Sequence, residues 1–218
     1  MVNGCLPPAR GAGNVRVPWP FFLGLLCFAS VAGAQGSTPV RSLLEMRQKN
    51  VVVQQWDTSC GAAALATLLK YQHGLAVSEK QIAEAMLRKG DPLKVKVRGG
   101  FSLLDLKRYA DARGLEGVGY RQLGLDDLVA MAPAIVPIMT RGYPHFVVVR
   151  GRAGDKLLIA DPAYGNRTMD VEAFQSAWTG SIGFIVRRRD GIAPPNELLQ
   201  SSVDTLRPSD AAVRSALR

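Results

Sequence analysis

The sequence predicts an α+β fold in which helices come first along the chain and antiparallel strands follow. Between about residues 60 and 131 the apolar residues recur at helical spacing, and capping residues open several of the segments. From Ala134 onward the pattern changes to short β-rich runs that are separated by turn signals. Such a change of period predicts two packed lobes, one helical and one formed by an antiparallel sheet.

The helical half begins with its most apolar segment. The first predicted helix, residues 60–72, is apolar on most of its circumference, so we expect it to be buried. Ser59 or Thr58 can cap its first turn. The other predicted elements of this half are a helix from a capping box at Ser78 to Gly90, a basic loop over 89–100, a helix from Ser102 to just before Gly114, and a short helix over 125–131.

The strand-rich half contains a predicted hairpin. Residues 134–140 and 145–150 are β-rich, and a glycine-containing turn over 151–155 joins the second run to another strand at 156–160. The half is completed by a short helix over 170–178 and a last strand over 181–188. From residue 190 onward prolines and serines predict a polar, poorly ordered tail over 190–218.

Residues 1–34 are predicted to form a secretory signal peptide. Residues 21–31 are an uninterrupted apolar run, and Ala32-Gly33-Ala34 supplies the cleavage signal of small residues. The run is shorter than the roughly 20 residues that span a bilayer, so we expect no membrane span after cleavage, with retention of the segment as an anchor as the alternative. Residues 35–49 then lead into a single domain over 50–189.

The charge of the chain is basic but dispersed. Lysine and arginine number 27 against 18 aspartate and glutamate, and the net charge is +9. The run Arg187-Arg188-Arg189 has no interleaved aromatic residues, which are typical of nucleic-acid interfaces. The sequence therefore predicts no nucleic-acid partner.

Cys60 differs from the other two cysteines in its position along the chain. Cys5 and Cys27 lie in the segment that is predicted to be removed, so Cys60 would be unpaired in an exported protein. Such a cysteine is an intermolecular link, a reactive thiol or a small core residue. The start of a helix favours the reactive thiol, because the positive end of the helix dipole stabilises a thiolate, and Gly61 would leave room for a substrate backbone.

A base for this thiol can be chosen by elimination, because the chain has 2 histidines. His73 lies about 20 Å along the same predicted helix from Cys60 and is expected to interact with the dipole at the helix C-terminus. His145 begins a strand and can project into a cleft, although a lone histidine there is more often a surface residue. Asp161 ends the partner strand, beside His145, where a carboxylate can fix the imidazole tautomer; a plain Asp-Pro turn is the alternative.

A cysteine that attacks a carbonyl also needs a hydrogen-bond donor to the oxyanion that forms, and Gln54 is the candidate for this donor. It precedes Cys60 on an extended segment, and its amide can point back across the helix N-terminus, whereas Gln55 would face the other way. No cofactor is predicted. A metal site is not predicted either, because one cysteine and two distant histidines do not form a zinc site of four ligands.

The combination of Gln54, Cys60-Gly61, His145-Phe146-Val147-Val148 and Asp161-Pro162 resembles the C39 family of cysteine peptidases. These are papain-like, two-lobed domains best known for removing double-glycine leaders from bacteriocins. The resemblance covers about residues 50–188. It implies that Cys60 is the nucleophile, His145 the general base and acid, Asp161 the residue that orients the imidazole, and Gln54 an oxyanion-hole donor.

Two departures from the family pattern narrow the expected function. No ATP-binding cassette follows, which leads us to expect a stand-alone exported form, and Ser59 stands where the family more often has aspartate. Residues 53–62 are similar to the stand-alone C39 proteins of bacterial functional-amyloid (Fap) operons. That resemblance implies a periplasmic endopeptidase that cleaves an exported protein after small residues such as glycine. The implied partners are a protein or peptide substrate, such as amyloid subunits, or the outer-membrane export pore.

Two other functions remain open at this point. The same fold could bind a client or leader peptide without hydrolysing it. A Cys-His-Asp site could also transfer an amide instead of hydrolysing it.

Overall fold

A six-stranded antiparallel sheet organises the residues that the computed structural model describes, 42–192 and 194–200. The strand order across the sheet is β1-β6-β2-β3-β4-β5. The strands are β1 (Leu115–Tyr120), β2 (Ala134–Thr140), β3 (Tyr143–Ala153), β4 (Lys156–Asp161), β5 (Gly165–Asp170) and β6 (Gly183–Arg188). The predicted signal peptide lies outside the described residues.

Helices cover both faces of this sheet, which confirms the predicted α+β class. They are α1 (Leu43–Gln48), α2 (Cys60–Tyr71), α3 (Glu79–Lys89), α4 (Pro92–Arg98), α5 (Leu103–Ala112), α6 (Leu125–Ala130), α7 (Val171–Ala177) and α8 (Glu197–Gln200), with a 3₁₀ turn at Thr179–Ser181. Within the described ranges, none of these helices has both the length and the apolar character needed to cross a bilayer.

The central strands are buried on both faces, which explains their nearly continuous apolar sequence. Ile135 and Val148 face a core formed with α2, α3 and α5, whereas their neighbours Val136 and Val147 face a second core formed with α6 and α7. Helix α2 is the most deeply buried helix of the first core, as its apolar circumference predicts. It packs against β3, and Gly61 near the start of α2 lies close to the side chain of Phe146 near the start of that strand.

The predicted basic loop over 89–100 is wrong for most of its length, because α4 forms there. The Asp91 carboxylate accepts hydrogen bonds from the N–H groups of Leu93 and Lys94, and Pro92 occupies the first helical turn. Proline in this position is pre-organised for a helix and lacks an N–H that would need a partner. The Asp91-Pro92 pair was therefore the local signal for a helix start.

Two strands and one helix also depart from the sequence prediction. The unpredicted strands, β1 and β5, are the two edges of the sheet. Edge strands carry polar residues and glycines, so their sequence signal is weak. In the predicted tail, α8 forms and Leu198 is fully buried, and the Leu198 carbonyl accepts hydrogen bonds from Arg150 at 3.0 and 2.7 Å. The part of the predicted tail that the structure describes thus contains a short helix that packs on the domain.

Candidate active site

Cys60 is the first residue of α2, and the structure leaves it as a free thiol. Its side chain is largely buried, with 7% of the residue exposed. Gly61 does not face a cleft, as the sequence suggested, but is packed: a Cβ there would lie 3.3 Å from both Leu106 and Phe146. The glycine therefore lets α2 approach α5 and β3 closely, and this approach places Cys60 beside the sheet.

His145, near the start of β3, meets Asp161 at the end of β4. The imidazole Nε2 donates to Asp161 Oδ1 at 2.7 Å, since a carboxylate only accepts. The two strands form the predicted hairpin, in which Val148 lies opposite Ala160. The Cys60 side chain lies close enough to the same imidazole to raise its pKa, and Nδ1 is the ring nitrogen that the contact with Asp161 leaves open. The structure thus brings together the three residues that the sequence selected.

Asp161 is fully buried and has donors on both of its oxygens. Besides His145, the Ala163 N–H donates to Oδ1 at 2.8 Å, and Arg167 Nε donates to Oδ2 at 2.8 Å. Arg167 lies on β5 and was missed by sequence reasoning, because this polar edge strand was not predicted. It lies opposite Ile159 of β4, and no local signal in the sequence identifies it.

Burial and hydrogen bonding act in opposite directions on these ionisable groups. Burial by itself lowers the pKa of His145, but hydrogen bonds and charge from Asp161 and Cys60 outweigh it and raise this pKa to about 9. Burial by itself raises the pKa of Asp161, but the contacts from His145, Ala163 and Arg167 hold it below its ordinary value. The proton between these two residues therefore belongs to the imidazole at neutral pH.

The segment before Cys60 carries Gln54 into the site region. The Gln54 N–H donates to the Pro162 carbonyl at 2.8 Å, which ties this segment to the end of β4. The side-chain Nε2 donates to the Trp56 carbonyl at 2.9 Å, and Oε1 is buried without a partner among the described residues. Gln54 is therefore held near α2 by its main chain, while its amide contacts its own loop.

His73 is excluded from this site, as its distance along the chain predicts, but its surroundings differ from the prediction. Helix α2 ends at Tyr71, and His73 turns inward, where Nε2 lies 3.2 Å from the Val186 carbonyl on β6. Burial lowers the pKa of His73, so the side chain is a neutral core residue and not a cation at the helix dipole.

Within residues 42–192 and 194–200, no group of three or more His, Cys, Asp or Glu side chains is arranged to hold a metal ion. A thiol at a helix N-terminus, an imidazole and a buried carboxylate are the groups that can act as a nucleophile, a base and an orienting group.

Comparisons with known proteins identify the family of this chain. The model of the peptidase C39 family matches residues 48–190. The chain is 35% identical over 175 residues to the probable functional amyloid protease FapD of Pseudomonas aeruginosa, which covers 78% of this chain and 77% of that protein. It is 37% identical over 165 residues to the FapD of Pseudomonas fluorescens, with 75% and 72% covered.

A solved structure supports the same assignment at the level of the fold. The peptidase domain of Streptococcus ComA, a bifunctional ABC transporter involved in a quorum-sensing pathway, superimposes with a TM-score of 0.53 at 25% identity. The match covers 64% of this chain and 98% of that domain. The fold is accordingly the papain-like α+β fold of such domains, and the chain belongs to the peptidase C39 family of cysteine peptidases.

Proposed function

We propose that this chain is an endopeptidase in functional-amyloid assembly that uses Cys60 to cleave an exported protein after small residues such as glycine. The observation that carries the proposal is the His145 imidazole, which hydrogen bonds Asp161 through Nε2 and has its pKa raised by both Asp161 and Cys60. The similarity to FapD proteins supports the amyloid context. The double-glycine specificity of the family supports a small residue at the cleavage site.

The reaction begins with an ion pair. Because the pKa of His145 is about 9, the imidazole keeps a proton at neutral pH and stabilises a thiolate on Cys60, which also lies at the positive end of α2. The thiolate attacks the substrate carbonyl, and His145 gives its proton to the leaving amine. A water then hydrolyses the thioester, with His145 as the base, while Asp161 holds the ring in one tautomer.

The oxyanion of the tetrahedral intermediate needs donors near Cys60. Among the described residues, no acceptor binds the N–H groups of Cys60 and Gly61, so the first turn of α2 can donate to it. Gln54 Nε2 carries two hydrogens, and its contact with the Asp57 carbonyl at 3.5 Å is at the limit of a hydrogen bond. We assign the second hydrogen to the oxyanion.

The compartment and the partners belong to the same proposal. A signal peptide over 1–34 would deliver the domain to the periplasm, where amyloid subunits pass on their way out of the cell. The proposed partners are these subunits or their outer-membrane export pore, bound as peptide substrates.

Mass spectrometry of candidate partners tests the proposal. Amyloid subunits from the same cell should be cut by the wild type at a defined bond. They should remain intact with Cys60→Ala, and His145→Ala should retain below about a thousandth of the rate. Asp57→Asn, a change on the same loop, serves as a control that should keep its activity.

The products also separate the alternatives. A new carboxyl terminus at the cut indicates hydrolysis, whereas a product joined to a second amine indicates an amide transferase. A Cys60→Ala protein that binds subunits and fully supports amyloid assembly in cells would refute the peptidase function and favour a client-binding module.

A further inference from the structure

Glu79 is a buried carboxylate that lies outside the residues assigned above. It is the first residue of α3 and only 4% of it is exposed. No lysine or arginine of the described residues pairs with it, and its hydrogen-bond partners all belong to the loop that precedes α2. A buried acid without a cation is costly unless its hydrogen bonds compensate, so these contacts deserve a specific explanation.

Glu79 forms hydrogen bonds at both ends of the loop between Gln54 and Cys60. The N–H of Gln55, the residue after Gln54, lies 3.0 Å from each carboxylate oxygen. The hydroxyl of Ser59, the residue before Cys60, hydrogen bonds Glu79 Oε1 and lies 2.6 Å from the Trp56 carbonyl. One side chain therefore fixes both ends of the loop that connects the candidate oxyanion donor to the nucleophile.

The contact with Ser59 has a second effect, on the first turn of α2. A serine at the N-cap normally turns its hydroxyl onto the helix and accepts a hydrogen bond from an N–H of the first turn. Ser59 is the N-cap of α2 but makes no such bond, because its hydroxyl is directed to Glu79 and Trp56. By contrast, Ser78 and Ser102 both cap their helices through the side chain.

We propose that Glu79 is a positioning residue for the oxyanion hole. It keeps the Ser59 hydroxyl away from α2, so that the N–H groups of the first turn remain available to the reaction, and it holds the loop that carries Gln54 at a fixed distance from Cys60. This inference rests on the proposed function, and it assigns to Glu79 no contact with the substrate.

Two reactions of Cys60 separate this role from simple stabilisation of the fold. In alkylation by iodoacetamide the thiolate displaces iodide from carbon, and no oxyanion forms. In acylation by p-nitrophenyl acetate the thiolate attacks the carbonyl, a tetrahedral oxyanion forms, and p-nitrophenolate leaves as the acetyl thioester is made. The ratio of the acylation rate to the alkylation rate therefore reports on the oxyanion hole.

The experiment uses the full chain with Cys5→Ser and Cys27→Ser, so that Cys60 is its only thiol. In Glu79→Ala we expect acylation to slow by about 10- to 100-fold, as is typical when catalytic groups are misplaced. Alkylation should stay within about twofold, because the thiolate and its imidazole are untouched. Glu84→Ala, on the exposed side of the same helix, is the matched control and should change neither rate.

Glu79→Gln keeps the volume and one acceptor for the Gln55 N–H, so it decides the question if Glu79→Ala does not fold. We expect its rate ratio to fall by about 3- to 10-fold. A ratio equal to that of Glu84→Ala, or an equal loss of both rates, would overturn the role of Glu79 alone. A parent protein without a Cys60-dependent burst of p-nitrophenolate would overturn the proposed function and this inference with it.

Discussion

Replacing Arg167 by methionine tests whether the buried carboxylate of Asp161 depends on a cation that lies outside the predicted triad. Arg167→Met keeps an unbranched side chain but removes the Nε donor, which lies 2.8 Å from Asp161 Oδ2. The Asp161 side chain is 0% exposed and that of Arg167 is 25% exposed, so water can replace the lost donor only in part. Among the described residues no other donor reaches Oδ2.

The magnitude follows from this burial. Leaving a buried acceptor without its donor costs about 1–3 kcal/mol, and more when the acceptor is charged, so we expect the free energy of unfolding to fall by about 2 kcal/mol. For a domain of this size the melting temperature should decrease by about 4–8 °C. Arg152→Met is the control. Its guanidinium lies 3.6 Å from Asp126, which is 97% exposed, and such a pair contributes less than about 1 kcal/mol.

The effect also has a defined pH dependence. The pKa of Asp161 is held below its ordinary value, so ionised Asp161 stabilises the fold above the ordinary carboxylate range and loses this contribution as the pH falls through the lowered pKa. The difference between wild type and Arg167→Met in urea unfolding should therefore be full at pH 7 and shrink below about pH 4. Equal midpoints for Arg167→Met and Arg152→Met at pH 7 would refute this account of Asp161.

Two further predictions concern the ion pair and the packing of the sheet edge. Because the pKa of His145 is about 9, its imidazolium should promote the reaction of Cys60 with iodoacetamide at pH 7, so His145→Ala should be alkylated at least about tenfold more slowly than the wild type at that pH. Equal rates in the two proteins would contradict this. Gly165 has φ = +79° and a Cβ there would clash with the Arg47 carbonyl, so Gly165→Ala should lower the free energy of unfolding in urea by about 1–3 kcal/mol. Gly154→Ala, also at positive φ but with open space around it, should cost less; equal losses would show that the contact with α1 is not what matters.

The residues of the candidate site differ in how visible they are in the sequence. Cys60, His145 and Asp161 could be selected because cysteine and histidine are rare in this chain, and because a hairpin brings the last two together over a short distance in sequence. The helices that open with a serine capping box were also predictable, because Ser78 and Ser102 signal a helix start within a few residues. Much of what depends on local signals could therefore be predicted, although the start of α4 at Asp91-Pro92 was missed.

Contacts between elements that are far apart in the sequence could not be predicted from such local signals. Glu79 has the sequence signature of an acidic residue in a first helical turn, and nothing local shows that its carboxylate reaches a loop some 20 residues earlier in the chain. Ser59 likewise has the signature of a side-chain cap, and only the packing of α3 beside the loop explains why its hydroxyl turns away. Such contacts follow from tertiary packing and not from propensity.

The members of the site that were predicted and the one that was missed form a single electrostatic unit. The imidazolium of His145, the carboxylate of Asp161 and the guanidinium of Arg167 alternate in sign and each contacts the next, and Cys60 interacts with the His145 ring at the other end. In this series Arg167 draws charge to Oδ2 and so lowers the basicity of Asp161, which keeps the shared proton on His145. Without Arg167 the fully buried carboxylate of Asp161 would have His145 as its one ionic partner among the described residues, and Arg167 on the edge strand β5 provides the second.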